Sequence, residues 1–385
     1  MPPADLAARR WLILLSAAVS FFAVGATFFV VPPLVPALRT AFALSNLEIG
    51  VLMGAIAVPA IVLSIPLGAA VDRWPARGAG ASGLAVMTLG AAVFAVAPAY
   101  GWLMLGRVLF GIGGLVLNVL LARLIAQAFA GRELALAMGL FMAVYPASMI
   151  TMFSLHPWLV AHLGWRGELL ALAVLVVAAL PLYLAATPAL GAEVANAAKG
   201  DGWSLPSGLV ALGVTWMLFF AAFSSALTFA PEWAGGTHGL LVVTAIPWVM
   251  LVAAPLAGAG IDRLGRPALW CGGGMLLLAG LLGAMACGFL APVMAMALVG
   301  LGGSLVQPAT YALPSRLVPA ERVGFAFGFI TALSNLGTVA GPAAIGAMRD
   351  AHASWPALWL TLSACALLGA LASAAVRASS PTHIA

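Results

Sequence analysis

Charge is what this sequence has least of. Asp, Glu, Lys and Arg make up only 7% of its 385 residues, whereas soluble domains carry about a quarter. Hydrophobic residues account for 64%, and the mean hydropathy is +1.14. A water-soluble fold of this size could not cover its surface with so few charges. The sequence therefore predicts a polytopic membrane protein whose surface is covered mostly by lipid.

Reactive and ligand-binding motifs are equally scarce. The three cysteines, Cys271, Cys287 and Cys365, lie in apolar runs without metal-ligand spacing, so we expect neither disulfides nor a metal site. No G-x-x-x-x-G-K-[ST] phosphate loop and no Ser–His–Asp set occurs, which argues against ATP-driven transport, a bound cofactor or an enzyme. The net charge of +5 is spread as single and paired residues, which indicates membrane topology and no nucleic-acid surface.

Long apolar runs are abundant instead. A helix needs about 20 mostly apolar residues to cross a membrane. Cutting the chain at charges, prolines and glycine clusters gives twelve such spans, numbered 1 to 12, at about 11–37, 47–71, 79–98, 101–128, 134–161, 166–188, 206–231, 237–261, 268–288, 290–316, 323–348 and 355–377. The first run is too long for the core of a cleaved signal peptide, so we interpret it as a transmembrane helix.

The basic residues predict the orientation of the spans. With the N-terminus inside, only Arg39, Arg166 and Arg349 lie in outer loops. The inner regions then hold Arg9, Arg10, Arg73, Arg77, Arg132, Lys199, Arg263, Arg266, Arg322 and Arg377. Because cytoplasmic loops carry the excess of Lys and Arg, we expect an integral protein of a bacterial inner membrane with both termini in the cytoplasm.

The two halves of the chain are copies of one another. The polar segment 191–205 reads as a cytoplasmic linker between an N-terminal bundle, 1–190, and a C-terminal bundle, 206–385. An offset of 189 or 190 residues relates Gly68 to Gly258, Asp72 to Asp262, Arg73 to Arg263, the glycine run 111–114 to 300–303, His162 to His352 and Trp165 to Trp355. The sequence thus predicts an all-α protein of two pseudo-symmetric six-helix bundles.

The duplicated charged turn carries a family resemblance. GAGIDRLGR, residues 258–266, matches G-x-x-x-D-R-x-G-R, and GAAVDRWPAR, residues 68–77, is similar except for Pro75 and Ala76. With twelve spans in two halves, the chain resembles the major facilitator superfamily, and faintly its cyanate/nitroimidazole-type branch. The resemblance implies that the turns form a conformational latch made of Gly68, Asp72, Arg73, Arg77, Gly258, Asp262, Arg263 and Arg266. The alternative is that their arginines only set topology.

One cation lies well inside a span, since Arg107 is about two turns from the outer end of span 4. Its repeat mate is Met296, so the scaffold does not require a cation there. Arg107 either attracts an anionic substrate, or holds backbone carbonyls and couples protons, or extends to the outer headgroups.

Other polar residues fall where this fold would place its central cavity. The candidate substrate-binding residues are Thr27, Arg107, Asn118, Tyr145, Ser224, Thr228, Trp248, Gln307, Tyr311 and Asn335. Asn118 and Gln307 are repeat mates, so we expect them to face each other near the two-fold axis. Such amides suit a small polar ligand, although hydrogen bonds between helices would use the same side chains.

The sequence does not identify a coupling ion. No span centre carries Asp or Glu, since Glu48, Glu168, Glu232 and Asp350 fall at outer ends or loops, and His156 is a weak candidate for proton coupling.

We expect a monomeric secondary active transporter that moves a small polar or anionic organic solute across the bilayer by rocker-switch alternating access. The alternatives are a proton-coupled drug or multidrug efflux antiporter and a non-transporting membrane sensor. The exporter-type G-x-x-x-G-P motif occurs at 337–342 and is absent from span 5, which disfavours the antiporter.

Overall fold

The computed structural model describes residues 9–71, 74–129, 133–187, 205–319 and 322–378. Within these ranges the chain is helical and contains no strand. The helices are α1 Arg10–Phe29, α2 Val31–Phe42, α3 Asn46–Ala55, α4 Val58–Val71, α5 Ala76–Ala95, α6 Tyr100–Ala128, α7 Leu134–Ala186, α8 Ser207–Ala234, α9 Gly236–Val243, α10 Ala245–Leu264, α11 Pro267–Ala286, α12 Pro292–Ala312, α13 Pro314–Leu317, α14 Val323–Asp350 and α15 Trp355–Ala378.

Among the described residues, eleven helical segments are long and apolar enough to cross a membrane. One of them lies in α7, which has 53 residues and a non-helical backbone at Gly164, with φ 68° and ψ 168°. Gly164 therefore divides α7 into two lengths that each suffice for a crossing. Counted in this way, the segments correspond to the twelve predicted spans, and the all-α membrane fold is confirmed.

Proline explains where three of the spans break. Proline has no backbone N–H, so it leaves the carbonyl four residues earlier without its helical donor. Helix α1 ends at Phe29, four residues before Pro33; α3 ends at Ala55, four before Pro59; and α9 ends at Val243, four before Pro247. Each helix resumes within three residues. The breaks near Pro33, Pro59 and Pro247 are therefore local consequences of the sequence.

The chain folds into two compact units that do not follow the chain order strictly. One unit contains Met1–Leu44 and Ala55–Ala197, and the other contains Ser45–Gly54 and Ala198–Ala385. In the first, α1 packs on α7 and α5 packs on α6. In the second, α8 packs on α14 and α15, while α12 packs on α10 and α11. The boundary placed at 191–205 stays a prediction, because residues 191–204 lie outside the described residues.

Helix α3 groups with the second unit because its backbone packs directly against α14. A Cβ atom at Gly50 would overlap the backbone carbonyl of Pro342, and one at Gly346 would overlap the carbonyl of Asn46. A Cβ at Gly54 would lie 2.6 Å from the Cα of Val339. Side chains at these glycines would hold the two helices apart, so the close packing depends on their absence.

The first turn of α3 has its backbone donors paired in full. Ser45 and Glu48 form a capping box, in which the Ser45 N–H donates to Glu48 Oε2 at 2.9 Å and the Glu48 N–H donates to Ser45 Oγ at 3.1 Å. Asp350, the last residue of α14, accepts the Asn46 N–H at 2.9 Å and the Leu47 N–H at 2.8 Å. A carboxylate is unfavourable at a helix C-terminus and favourable at an N-terminus, so Asp350 joins these two helix ends.

Asp350→Ala is expected to destabilise the start of α3 by about 1–2 kcal/mol, as the loss of a helix cap does. Hydrogen exchange of the Asn46 and Leu47 amides should then become faster, while the core of α14 keeps its protection. Glu48→Gln is the matched control, because a glutamine oxygen can still accept the Ser45 N–H. Equal exchange in wild type and Asp350→Ala would contradict the capping role.

Candidate functional site

The guanidinium of Arg107 binds the end of the first helix. Arg107 lies on α6 and is fully buried. Its Nη1 donates to the Thr27 carbonyl at 2.5 Å and to the Phe28 carbonyl at 3.4 Å, and its Nη2 donates to the Phe28 carbonyl at 3.4 Å. The helical donor for Phe28 would be residue 32, which is a proline without an N–H. Arg107 therefore supplies a donor to a carbonyl that the proline break leaves free.

Tyr145 completes this arrangement, which we call the helix-break site and define as Thr27, Phe28, Arg107 and Tyr145. The Tyr145 ring lies 6.2 Å from the Phe28 ring and 5.1 Å from that of Phe29. The Thr27 hydroxyl donates to the Val24 carbonyl at 2.8 Å. Thr27 thus contributes its carbonyl to the site.

The helix-break site distinguishes among the roles considered for Arg107. A fully buried guanidinium held on α1 does not extend to the outer headgroups. The geometry supports the carbonyl-holding role, because both nitrogens of the fork are directed at backbone oxygens. Substrate binding by Arg107, Thr27 and Tyr145 stays a prediction.

In the second unit, three of the six candidates bond to their own helix. Ser224 donates to the Phe220 carbonyl at 2.5 Å, and Thr228 donates to the Ser224 carbonyl at 2.7 Å. Asn335 Nδ2 donates to the Thr331 carbonyl at 2.8 Å. The hydroxyl donors of Ser224 and Thr228 are therefore satisfied without a ligand, and one N–H of Asn335 is already engaged. These side chains can still accept hydrogen bonds from a solute.

Gln307 and Tyr311 are more available to a solute. They lie one turn apart on α12 and therefore share a helix face. Gln307 is half-buried. Tyr311 is 57% exposed, and its ring contacts those of Trp216 at 5.8 Å and Phe327 at 6.1 Å. An amide and a phenol beside aromatic rings can bind a polar organic molecule.

Two further candidates are exposed, and their side chains make no polar contact among the described residues. Asn118 is exposed on α6, and Trp248 is 55% exposed on α10. Asn118 and Gln307 belong to different units, so their expected approach stays a prediction.

Only part of the duplicated turn lies within the described residues. Asp72 and Arg73 fall outside them, Gly68 belongs to α4, and Arg77 is exposed in the first turn of α5. In the second copy, Gly258, Asp262 and Arg263 belong to α10, and Arg266 precedes α11.

The later glycine of the second copy, Gly265, caps the C-terminal end of α10. Gly265 adopts the left-handed conformation with φ 65°, donates its N–H to the Ile261 carbonyl at 2.8 Å and accepts a hydrogen bond from Arg316 at 3.0 Å. Asp262 has no hydrogen-bond or ion-pair partner in the part of the chain that the structure describes. The latch role of both turns therefore stays a prediction.

A cavity of about 550 Å³ opens beside the second turn. It is lined by Arg263, Arg266 and Trp270 together with leucines of α10, α11 and α12, namely Leu264, Leu269 and Leu305. None of the residues predicted to bind substrate lines this cavity. It is cationic and lies at the duplicated turn.

One ionic contact was missed by sequence reasoning. His156 and Glu168, each 1% exposed, touch through Nδ1 and Oε1 across the Gly164 break of α7. The sequence places Glu168 at an outer end or in a loop, and the structure shows that its side chain is buried there. The sequence did contain a signal for this contact. Two ionisable residues flank one short connection, and helices joined by a short connection pack as neighbours.

Comparison with known proteins agrees with this architecture. The family model described as Major Facilitator Superfamily matches residues 17–246 and 207–384. The chain is 25% identical to the lysosomal dipeptide transporter MFSD1 of Bos taurus over 288 residues, which are 65% of this chain and 60% of the relative. It is also 25% identical to the Gallus gallus protein over 327 residues, which are 75% and 71% of the two chains. The chain thus spans about 60% of the length of the mammalian relatives it matches.

A crystal structure of a variant of the nucleoside transporter NupG has the same fold. It superposes with a TM-score of 0.76 at 13% sequence identity, covering 96% of this chain and 99% of the other. At this identity the match concerns the fold alone.

Proposed function

The chain belongs to the major facilitator superfamily, and we propose that it moves a small polar organic solute across the membrane by alternating access. The proposal depends above all on the family match, which extends over both halves of the chain. The named relatives are transporters, so the protein is a membrane transporter and not an enzyme. Its substrate, coupling ion, monomeric state and membrane are parts of the proposal.

The side chains favour a neutral or zwitterionic solute over a simple anion. The cation inside a span, Arg107, already binds two carbonyls of α1, so it is engaged before any anion arrives. The amide of Gln307 and the phenol of Tyr311 offer hydrogen bonds without a net charge. One relative is named for dipeptide transport and one fold neighbour for nucleoside transport. Both classes of molecule are rich in amide or hydroxyl groups.

The positive-inside distribution of arginines supports cytoplasmic termini. We therefore propose that the protein lies in a bacterial inner membrane with its N-terminus in the cytoplasm, although the relatives named are lysosomal. Protease protection of terminal tags in intact spheroplasts tests this orientation.

Counterflow into proteoliposomes tests the solute class. A panel of radiolabelled dipeptides, nucleosides, organic anions and a lipophilic cation should show exchange for a dipeptide or a nucleoside. Gln307→Ala should reduce that exchange about tenfold, the effect of losing one or two hydrogen bonds to a bound polar ligand. Thr361→Ala, whose hydroxyl bonds only its own helix at 2.9 Å, is the matched control.

Selective exchange of the lipophilic cation would replace the proposal with drug efflux. Thermal stabilisation by a polar solute with no exchange at all would indicate a sensor of the same fold.

A further inference from the structure

The buried pair of His156 and Glu168 has chemistry that the solute site does not use. Both side chains are 1% exposed, and Nδ1 of the imidazole contacts Oε1 of the carboxyl group. His156 Nε2 and Glu168 Oε2 have no hydrogen-bond partner among the described residues. A lone carboxylate in such surroundings is very unfavourable, so the pair must hold at least one proton to be neutral.

Among the described residues, no other charged group takes part in this contact. The helices that pack on α7 are α1, α2, α5 and α6, and their charged residues are Arg10, Arg39, Arg77, Arg107 and Arg123. Arg10 pairs with Glu133 at 3.2 Å, and Arg107 binds α1. Among the described residues, His156 is the ionisable side chain that contacts the carboxyl group of Glu168.

The titratable residues of α7 itself are also engaged elsewhere. Arg166 donates to the Ala97 carbonyl at 3.2 Å, and His162 Nδ1 contacts the Trp158 carbonyl at 2.8 Å. Tyr183 donates to the Ala76 carbonyl at 2.6 Å. Tyr145 belongs to the helix-break site.

The duplicated half provides an internal comparison. At the offset of 190 that relates His162 to His352, Glu168 corresponds to Leu358, which is buried. At either offset, His156 corresponds to Ile345 or Gly346, which are both buried. The second half therefore has apolar residues at the positions equivalent to His156 and Glu168. The shared six-helix architecture therefore does not itself call for His156 and Glu168 at these positions.

We propose that His156 and Glu168 form a proton-binding dyad that loads and unloads one proton in each transport cycle. The proposal depends on the proposed function, because it identifies the coupling ion of that carrier. In the loaded state one proton is shared between Nδ1 and Oε1, and the pair is neutral. On unloading, the proton passes to water and leaves a carboxylate beside a neutral imidazole.

The position of the dyad gives a way to link the proton to conformation. His156 lies in the first length of α7 and Glu168 in the second, with the non-helical Gly164 between them. A change in angle at Gly164 would separate the imidazole from the carboxyl group and admit water. The proton is thus retained only while the two lengths of α7 stay in contact.

Infrared difference spectroscopy of the purified protein tests proton binding without any solute. The dyad proton should appear as a carboxylic-acid C=O band or as an imidazolium ring band, and it should titrate as the pH is raised. Glu168→Gln should remove the titrating signal. His156→Gln should strengthen the carboxylic-acid band at neutral pH, because the carboxylate loses its partner. A wild-type signal identical to that of Glu168→Gln, or one that never titrates, overturns the proposal.

Transport assays separate coupling from a structural role. An inward proton gradient should stimulate net solute uptake about tenfold in wild type, a normal size for coupling between two sites. Glu168→Gln should lose this stimulation and keep counterflow, since exchange needs no net proton movement. Glu232→Gln, which alters a partly exposed acid paired with Arg349 at 3.1 Å, is the control and should keep both activities.

The possible failures are distinct. If net uptake and counterflow fall equally in Glu168→Gln, or if wild-type uptake ignores the gradient, the dyad is structural and the carrier proposal stands. If wild type exchanges no solute of the panel, the proposed function fails, and the infrared titration still decides whether the dyad binds and releases a proton.

Discussion

Replacing Arg107 with alanine is expected to lower the free energy of unfolding by about 4 kcal/mol, because two costs add. The first is the Phe28 carbonyl, which loses its donor in a buried setting. The second is the cavity left by a long side chain that is fully buried. Thermal unfolding in detergent should show the loss as a lower melting temperature.

Two companion variants isolate the hydrogen bonds from the cavity. Arg107→Met introduces the residue type that the second half has at the equivalent position, Met296, and it retains most of the side-chain volume. It should therefore lower the free energy of unfolding by about 1–3 kcal/mol. Pro32→Ala restores an N–H that can donate to the Phe28 carbonyl. The double variant with Arg107→Met should therefore lose less than the sum of the single changes. Strict additivity would show that Arg107 does not compensate for the proline.

The same variants bear on transport. If Arg107 positions α1, Arg107→Met should depress the exchange of every solute in the panel by a similar factor, since the whole helix end shifts. An arginine that binds an anion directly would produce a loss confined to anionic solutes. The ratio between solute classes is thus the measurement that separates a positioning role from a substrate-binding role.

Gly50→Ala is expected to be the second strongly destabilising change, at about 2–3 kcal/mol, as in overpacking of a close-packed contact. The new methyl group would overlap the backbone carbonyl of Pro342, which cannot rotate away as a side chain would. Helix α3 would have to separate from α14. Thermal unfolding gives the size of the effect, and hydrogen exchange over 46–54 shows where it occurs.

Gly280→Ala is the matched control, because a Cβ at this helical glycine meets no other atom within 4 Å. Alanine is the better helix former, so this variant should be neutral or slightly stabilising. A similar loss in both variants would mean that the effect of Gly50→Ala comes from the glycine backbone itself and not from the α3–α14 contact.

Several features could be predicted from the sequence because they depend on composition or on near neighbours. The scarcity of charge determines the membrane class, and the 189–190 offset determines the duplicated fold. Helix breaks follow from prolines at a fixed spacing of four residues, as at Phe29 with Pro33 and Ala55 with Pro59. The capping box of Ser45 and Glu48 was equally readable, since both residues lie within one helical turn.

The pairings that give the candidate sites their chemistry depended on the tertiary structure. Arg107 had three possible roles in the sequence, and only the approach of α6 to the end of α1 favoured one. Asp350 is 303 residues from Leu47, whose N–H it accepts, so no local pattern connects them. The sequence places Glu168 at an outer end or in a loop, and only the structure shows it buried against His156. Local propensities determine where helices begin and end, whereas the partners of a buried polar group depend on which helices pack side by side.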